Sequence, residues 1–376
     1  MKIVIDGRMI KCTGIGRYTT ELLSQLQEID NENNYIVLLL IDDFIEWKPK
    51  APNFRKELAN YPPYSWQEQV LLPIKLYKIC PDLVHFPNIN APILYSGRQV
   101  LTIHDLNLIQ YKLIQESVHA KRIKKLVYEL KYWAMRIGLR FAVMRSHLIT
   151  DTIYVRNQIV GRYRFILSKR NLQKINVVPL GANIGIRMCT AKNYYYSAPF
   201  LLYVGNCYPY KNLARLIDAL KILRKTESDL RLLIIGRSDY FQEQLKKYVD
   251  TNGMSDAIVF TGYVDDEELA WLYKKTELYI FPSLSEGFGL PGLEAMAMGT
   301  PVLAARASCL PEVYGDAAAY FNPVDTKDLA EKIKFIIQNH KERDRLCKAG
   351  REHIEQFSWR RMAEKTLEIY KNDFGS

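Results

Sequence analysis

Residues 280–302, IFPSLSEGFGLPGLEAMAMGTPV, set two carboxylates, Glu286 and Glu294, on either side of a glycine-rich turn. The apolar stretch Tyr279–Phe281 closes a strand, and the chain turns from Ser283 to Gly289. Pro291 then stands near the first turn of a helix, where its missing N–H costs nothing. The amides of Gly287, Phe288, Gly289 and Leu290 converge at the positive end of that helix, a ready place for an anion. Glu294, about one turn in, reaches back to accept hydrogen bonds from the hydroxyls of an anionic ligand. Phosphate joined to a polyol describes a nucleotide sugar.

Other residues with chemical potential also follow strand patterns. Lys211 comes after the strand Leu201–Val204 and a short loop containing Pro209, and Asn212–Leu213 open the next helix. His104, in Thr102–Leu106, directly follows the strand Gln99–Ile103. A lone lysine or histidine is more often a solvated charge or a satisfied structural residue, so position at a strand end is what singles these two out. Gly14 and Gly16 lie in a loop from Gly7 to Gly16, where glycine permits close backbone approach. Sugar transfer from a nucleoside diphosphate builds negative charge on the leaving phosphate and positive charge at the anomeric carbon. No Asp-x-Asp pair stands in a loop to hold a divalent ion beside such a phosphate. No metal centre and no cofactor is expected, and protein groups must carry the neutralisation.

The elements that position these residues alternate between strand and helix, which predicts parallel sheets covered by helices. Strands are expected at Lys2–Ile5, Tyr35–Ile41, Leu83–Phe86, Gln99–Ile103, Leu148–Thr150 and Ile175–Val178, with a helix from about Arg17 to Ile29. The rhythm breaks across Ala182–Pro199, which reads as an interdomain linker. A second sheet follows in Phe200–Val204, Leu230–Ile235, Ile258–Thr261, Leu278–Phe281 and Val302–Ala304. At 376 residues the chain exceeds what one core usually supports. Ligands of open α/β sheets bind beyond the carboxyl ends of the strands, and each candidate above falls there.

The segment around Glu286 resembles the donor-site signature of glycosyltransferase family 4, the retaining transferases of GT-B fold. The resemblance extends through TGIGRYTTELL, TIHDL, VVPLGAN, YVGNCYPYKN, GYVDDEELAWLY and LPEVYGDAA in that order. It implies an α/β fold of two Rossmann-like lobes facing a cleft: an acceptor-side domain over 1–190 and a nucleotide-sugar-binding domain over 198–357. Residues 358–376 would then cross back onto the first lobe as a helix. The resemblance makes Lys211 the ligand of the donor diphosphate, and His104 a contact of the transferred sugar with Asp105 orienting it. Glu286 is assigned to the sugar hydroxyls, Glu294 to the ribose diol, and the backbone of Gly262–Val264, with Tyr263 at its centre, to the nucleobase. Gly14 and Gly16 resemble the first-lobe glycine loop, and Glu312 reads as structural. The arginine that relatives commonly place after Gly205 is Asn206 here, as in many mannosyltransferase-like members. A serine-rich turn common after the strand at 148–150 is replaced by Thr150–Asp151–Thr152–Ile153–Tyr154.

The implied reaction moves a hexose, best matched by mannose from GDP-mannose, to a lipid-linked or surface-polysaccharide acceptor. A UDP-hexose donor is the alternative. A GT-B epimerase and a non-catalytic nucleotide-binding lobe are rivals; the intact set His104, Lys211, Glu286 and Glu294 argues against the binding lobe.

Composition bounds where such an enzyme works. The longest apolar run, Tyr35–Ile41, is far short of a membrane span. The opening MKIVIDGRMI reads as a first strand rather than a signal peptide, so a cytoplasmic location is expected. Six scattered cysteines without a C-x-x-C pair argue against a disulfide framework or zinc site. The net charge of +11 concentrates in residues 119–147, which hold eight Lys or Arg against one acid, Glu129. Apolar residues Leu126, Leu130, Trp133, Ile137 and Phe141 recur there at helical spacing. One reading is a helix whose apolar stripe faces the core under a solvated basic face. The other is peripheral attachment to the anionic inner face of a membrane. No nucleic-acid module is present.

Overall fold

The structure, a computed structural model, describes residues 1–111, 122–168, 172–182 and 199–374. The chain divides into two units, Met1–Gly181 with Ser358–Ser376, and Ala182–Phe357. Most of the expected linker lies at 183–198, outside the described residues.

The first unit carries a seven-stranded sheet in the order β3-β2-β1-β4-β5-β6-β7. Its strands are β1 Lys2–Asp6, β2 Asn34–Leu39, β3 Phe54–Leu58, β4 Leu83–Phe86, β5 Gln99–Ile103, β6 His147–Thr150 and β7 Ile175–Val177. Every pairing is parallel. β1, β4 and β5 are almost wholly buried because helices cover both faces. The run expected as one strand through Ile41 ends at Leu39, and Ile41 opens the helix Ile41–Glu46. Asp42 and Asp43 in its first turn favour that helix start through the macrodipole.

The helix expected from Arg17 begins at Thr13 and runs to Ile29. Gly14 and Gly16 therefore stand in its first turn, not in a loop. Gly16 donates its amide to Cys12 O, and a Cβ at Gly16 would collide with the Ile10 carbonyl, so its lack of a side chain has a packing reason. Gly14 faces open space.

The helix Trp359–Phe374 packs within the first unit against Thr13–Ile29. It buries Trp359, Met362, Ala363, Thr366 and Tyr370. Tyr370 Oη bonds His85 Nδ1, while His85 Nε2 lies 2.8 Å from Thr102 Oγ1, which in turn is 3.1 Å from Tyr18 Oη.

The second unit carries a six-stranded parallel sheet, β10-β9-β8-β11-β12-β13. Its strands are β8 Phe200–Val204, β9 Arg231–Ile235, β10 Ile258–Gly262, β11 Leu278–Phe281, β12 Val302–Ala305 and β13 Ala319–Phe321. Both units are doubly wound and Rossmann-like. The two strands that the hydrophobic pattern misses are sheet edges: β3 reads Phe-Arg-Lys-Glu-Leu, and β13 has only three residues. Charge and shortness are what edge strands use to avoid pairing with other chains.

Candidate functional site

In the second unit the expected donor residues gather at the carboxyl edge of the sheet. Beyond β8, the chain passes Asn206 and makes a short turn over Pro209–Lys211; Asn212 then takes a left-handed conformation, φ 61°, before the helix Leu213–Leu223. Asn212 Nδ2 donates to Pro282 O at 3.1 Å and Pro323 O at 2.9 Å, which ties this turn to the loops after β11 and β13. Leu284 N donates to Tyr210 O at 2.8 Å and adds a second tie. These bonds bring Lys211 Nζ to 2.7 Å from Glu286 Oε1. Both side chains are nearly buried, and the ammonium also lies 5.2 Å from the centre of the Tyr210 ring. A buried charge of either sign needs its partner, so the pair defines a polar point in an apolar wall.

Glu286 is held from behind as well: its amide donates to Ser308 Oγ at 3.1 Å, with Ser308 in the left-handed region at φ 53°. The helix after the turn runs Leu290–Ala297 with Gly289 at its cap, φ 98°. The Tyr314 hydroxyl donates to Gly289 O at 2.5 Å and occupies the space a side chain at Gly289 would need. Glu294 projects from this helix and accepts from Tyr273 Oη at 3.2 Å. Burial, and then the Glu294 carboxylate, hold the Tyr273 hydroxyl well above its usual range, so it stays a donor. Tyr263 sits exposed just past β10, after Gly262 at φ 77°. Asn206, Lys211, Tyr263, Glu286–Leu290 and Glu294 thus share one sheet edge. Asn206 supplies no second cation there.

His104 belongs to the first unit, at the carboxyl end of β5. Its Nδ1 lies 2.7 Å from Asp151 Oδ2, and its Nε2 lies 3.1 Å from Pro87 O. The orienting carboxylate is therefore Asp151, not Asp105. Asp105 instead accepts from Asn107 N at 2.8 Å and starts the next turn. Asp151 follows β6, and β6 pairs with β5 so that Thr150 lies opposite Ile103, which places the two loops side by side. Both partners of His104 only accept hydrogen bonds, an arrangement that favours a proton on each ring nitrogen. Burial alone would lower its pKa; the charges and hydrogen bonds of Asp151, with Asp105 behind, overcome burial and raise it. The Tyr18 ring packs edge-on against it at 4.8 Å. Asp151 was legible only as a departure from the serine-rich turn of relatives, and Ser308 gave no sequence signal.

Among the described residues no cluster of three or more His, Cys, Asp or Glu is arranged to hold a metal ion. Cys207 and Cys309 are buried free thiols, and burial raises the pKa of each. Cys189 lies outside the described residues.

Residues 192–353 match the family described as Glycosyl transferases group 1. The O-antigen chain mannosyltransferase B of Escherichia coli is 27% identical, over 99% of this chain and 100% of that protein. The O-antigen chain mannosyltransferase RfbU of Salmonella typhimurium is also 27% identical, over 87% of this chain and 88% of its own length. Among solved structures, sucrose-phosphate synthase from Thermosynechococcus elongatus superposes with a TM-score of 0.77 at 19% identity, covering 100% of this chain and 99% of that one. The second unit thus matches a glycosyltransferase family, the fold is that of GT-B structures, and over nearly its whole length the chain is similar to mannosyltransferases.

Proposed function

We propose that this chain transfers mannose from GDP-mannose, with retention of configuration and without a metal ion, to a lipid-linked or surface-polysaccharide acceptor. The observation that carries the reading is the Lys211–Glu286 pair, 2.7 Å apart, set just before the helix that begins at Leu290. A cation beside helix amides suits a diphosphate, and a carboxylate beside that cation suits sugar hydroxyls. On this reading Lys211 and the amides of Gly287–Leu290 stabilise the leaving nucleotide, while Glu286 anchors the sugar. Glu294 takes the ribose diol, and the backbone at Tyr263 edges the base. His104 has no ring nitrogen left for a sugar, so it meets one by releasing the Pro87 carbonyl. Its raised pKa favours a role as charge and donor over one as base. The two O-antigen relatives support the mannosyl donor and the polysaccharide acceptor. Work at the cytoplasmic face of a membrane, in peripheral contact through 119–147, belongs to the same reading.

The test is a panel of GDP-, UDP-, ADP- and dTDP-sugars read by thermal shift, followed by transfer with and without EDTA. GDP-mannose at about a hundred times its Kd should add about 2.7 kcal/mol of stability. Product NMR should show the donor's anomeric configuration, and chelation should leave the rate unchanged. Stabilisation by a UDP-sugar instead would replace the donor; sugar released or isomerised without any acceptor would indicate an epimerase. Loss of transfer on chelation, restored by magnesium, would overturn the metal-free mechanism.

A further inference from the structure

From Glu129 onward, the helix Arg122–Arg145 does not bury the apolar stripe that its sequence displays. Its core face is Leu139, Ala142 and Val143, whereas Leu130 is 62% exposed, Trp133 52% and Ile137 50%, with Phe141 and Met144 continuing the same outward row. At about 100° per residue, these five cluster on the side opposite the core residues. A second helix on the same side of the sheet repeats the pattern. Trp66–Ile79 buries Leu72 and Leu76 in the core cluster that also holds Leu139 and Val143. It turns Trp66, Val70, Ile74 and Tyr77 outward, with Trp66 68% exposed.

The loop between β4 and β5 joins these outward rows. Ile93 N donates to Gln69 Oε1 on one helix at 3.0 Å, and Ile93 O accepts from Arg145 Nη1 on the other at 3.0 Å. Tyr77 Oη donates to Leu94 O, and Leu94 is itself exposed. Around this apolar surface stand the exposed cations Lys78, Arg98, Lys131, Arg140 and Arg145, with the half-exposed Arg136 held over the Trp133 ring at 4.5 Å. The acids of the two helices are Glu68, which is buried against Arg8, and Glu129.

We infer that Trp66–Ile79, the Leu94 loop and Leu130–Arg145 form one face that docks on an anionic lipid bilayer, with both helices lying in the interface. Large outward apolar side chains interleaved with arginine and lysine are what an interfacial helix presents. A second copy of this chain would oppose cation to cation across the contact, so charge selects against self-association. An anionic surface that also accepts hydrocarbon is a bilayer. The inference extends the membrane contact proposed above from one helix to two, and it is tested without donor or acceptor.

The experiment is flotation of the full chain with phosphatidylcholine vesicles, and with the same vesicles doped with phosphatidylglycerol. Wild type should float only with the doped vesicles, and indole fluorescence should shift to the blue. Trp66→Ser with Val70→Ser and Ile74→Ser, all solvent-facing, should lower the bound fraction without changing the melting temperature. Arg140→Glu should weaken binding at least about fivefold, the equivalent of about 1 kcal/mol for one interfacial cation. Undiminished binding of the Trp66 variant would overturn the two-helix face. Failure of wild type to float, or a preference for RNA or for its own dimer over vesicles, would overturn docking itself. Transfer to a soluble acceptor, measured in parallel, should be unchanged in these variants; its absence in wild type would count against the proposed reaction and leave the flotation result standing.

Discussion

At His104 and His85 the same side chain is shifted in opposite directions within one core. His104 faces Asp151 and Pro87 O and has a raised pKa, whereas burial, reinforced by the His104 charge, pushes His85 down to about 3. The His104 contribution to stability is therefore complete below the ordinary value of 6.5 and is lost as pH rises through the folded value. The His85 contribution has the other sign, present above 6.5 and lost as pH falls toward about 3. Asp151→Asn removes a hydrogen bond to a charged group, so it should cost about 1.5–3 kcal/mol. Imidazole NMR should then show His104 losing its proton at lower pH than in wild type; an unmoved titration would sink the Asp151 assignment. In the other unit, Lys211→Ala should weaken donor binding and turnover together by roughly 2–4 kcal/mol, judged by typical deletions of a transition-state charge contact. It also leaves the Glu286 carboxylate buried without its cation, so stability should fall too. Adding Glu286→Gln should recover stability but not donor affinity, because it removes the orphaned charge and not the need for a cation. Calorimetric titration with donor and denaturant unfolding separate the two; full donor affinity in Lys211→Ala would mean that the diphosphate binds elsewhere. Lys211, Glu286 and Glu294 were legible because each follows a strand in a recognisable local run. Asp151 was not, because its partner is 47 residues away and only the β5–β6 pairing brings them together.

Elements were read well where periodicity and turn residues agreed, and badly where a pattern has two meanings. Pro291 and Gly289 marked the helix at Leu290, and both stand at its start. The apolar stripe of 119–147 was equally periodic, yet spacing says only that a stripe exists, not whether it faces the core or the solvent. Burial of Leu139 and Val143 decides that question, and those residues sit off the stripe. At the other end of the scale, β3 and β13 were invisible because edge strands do not need an apolar run. The first helix offers a sharp comparison between its two glycines. Gly16→Ala drives a methyl into the Ile10 carbonyl and should destabilise the first unit by about 1–3 kcal/mol. Gly14→Ala meets open space and should stabilise the helix by up to about 1 kcal/mol. Thermal melts read both. If Gly14→Ala melts no lower but binds donor more weakly, the glycine serves the ligand; if affinity is unchanged, it does not.

On the scale of the whole molecule, the chain leaves the first unit after Gly181 and returns to it at Ser358. The two passages run side by side, with Ala182 N donating to Phe357 O at 3.4 Å. A chain ending at Phe357 would strip Trp359, Met362 and Tyr370 from the first core, each fully or almost fully buried. Losses of about 3–5 kcal/mol per large aromatic are enough to unfold a marginal unit. Hydrogen exchange should show the first unit unprotected and the second unit intact; equal protection of both would contradict the packing of Trp359–Phe374. Tyr370→Phe is the milder probe, because it leaves His85 Nδ1 without its partner and should cost about 1–3 kcal/mol. The same packing has a consequence for synthesis. A ribosome delivers residues 1–181 first, yet the helix that completes their core emerges only after the whole intervening sheet. The nascent first unit must therefore wait, with the groove for Tyr370 open, while the second unit has everything it needs to fold. The half of the protein made first is the half finished last, and proteolysis of chains stalled on either side of residues 358–374 should reveal the protection arriving in that order.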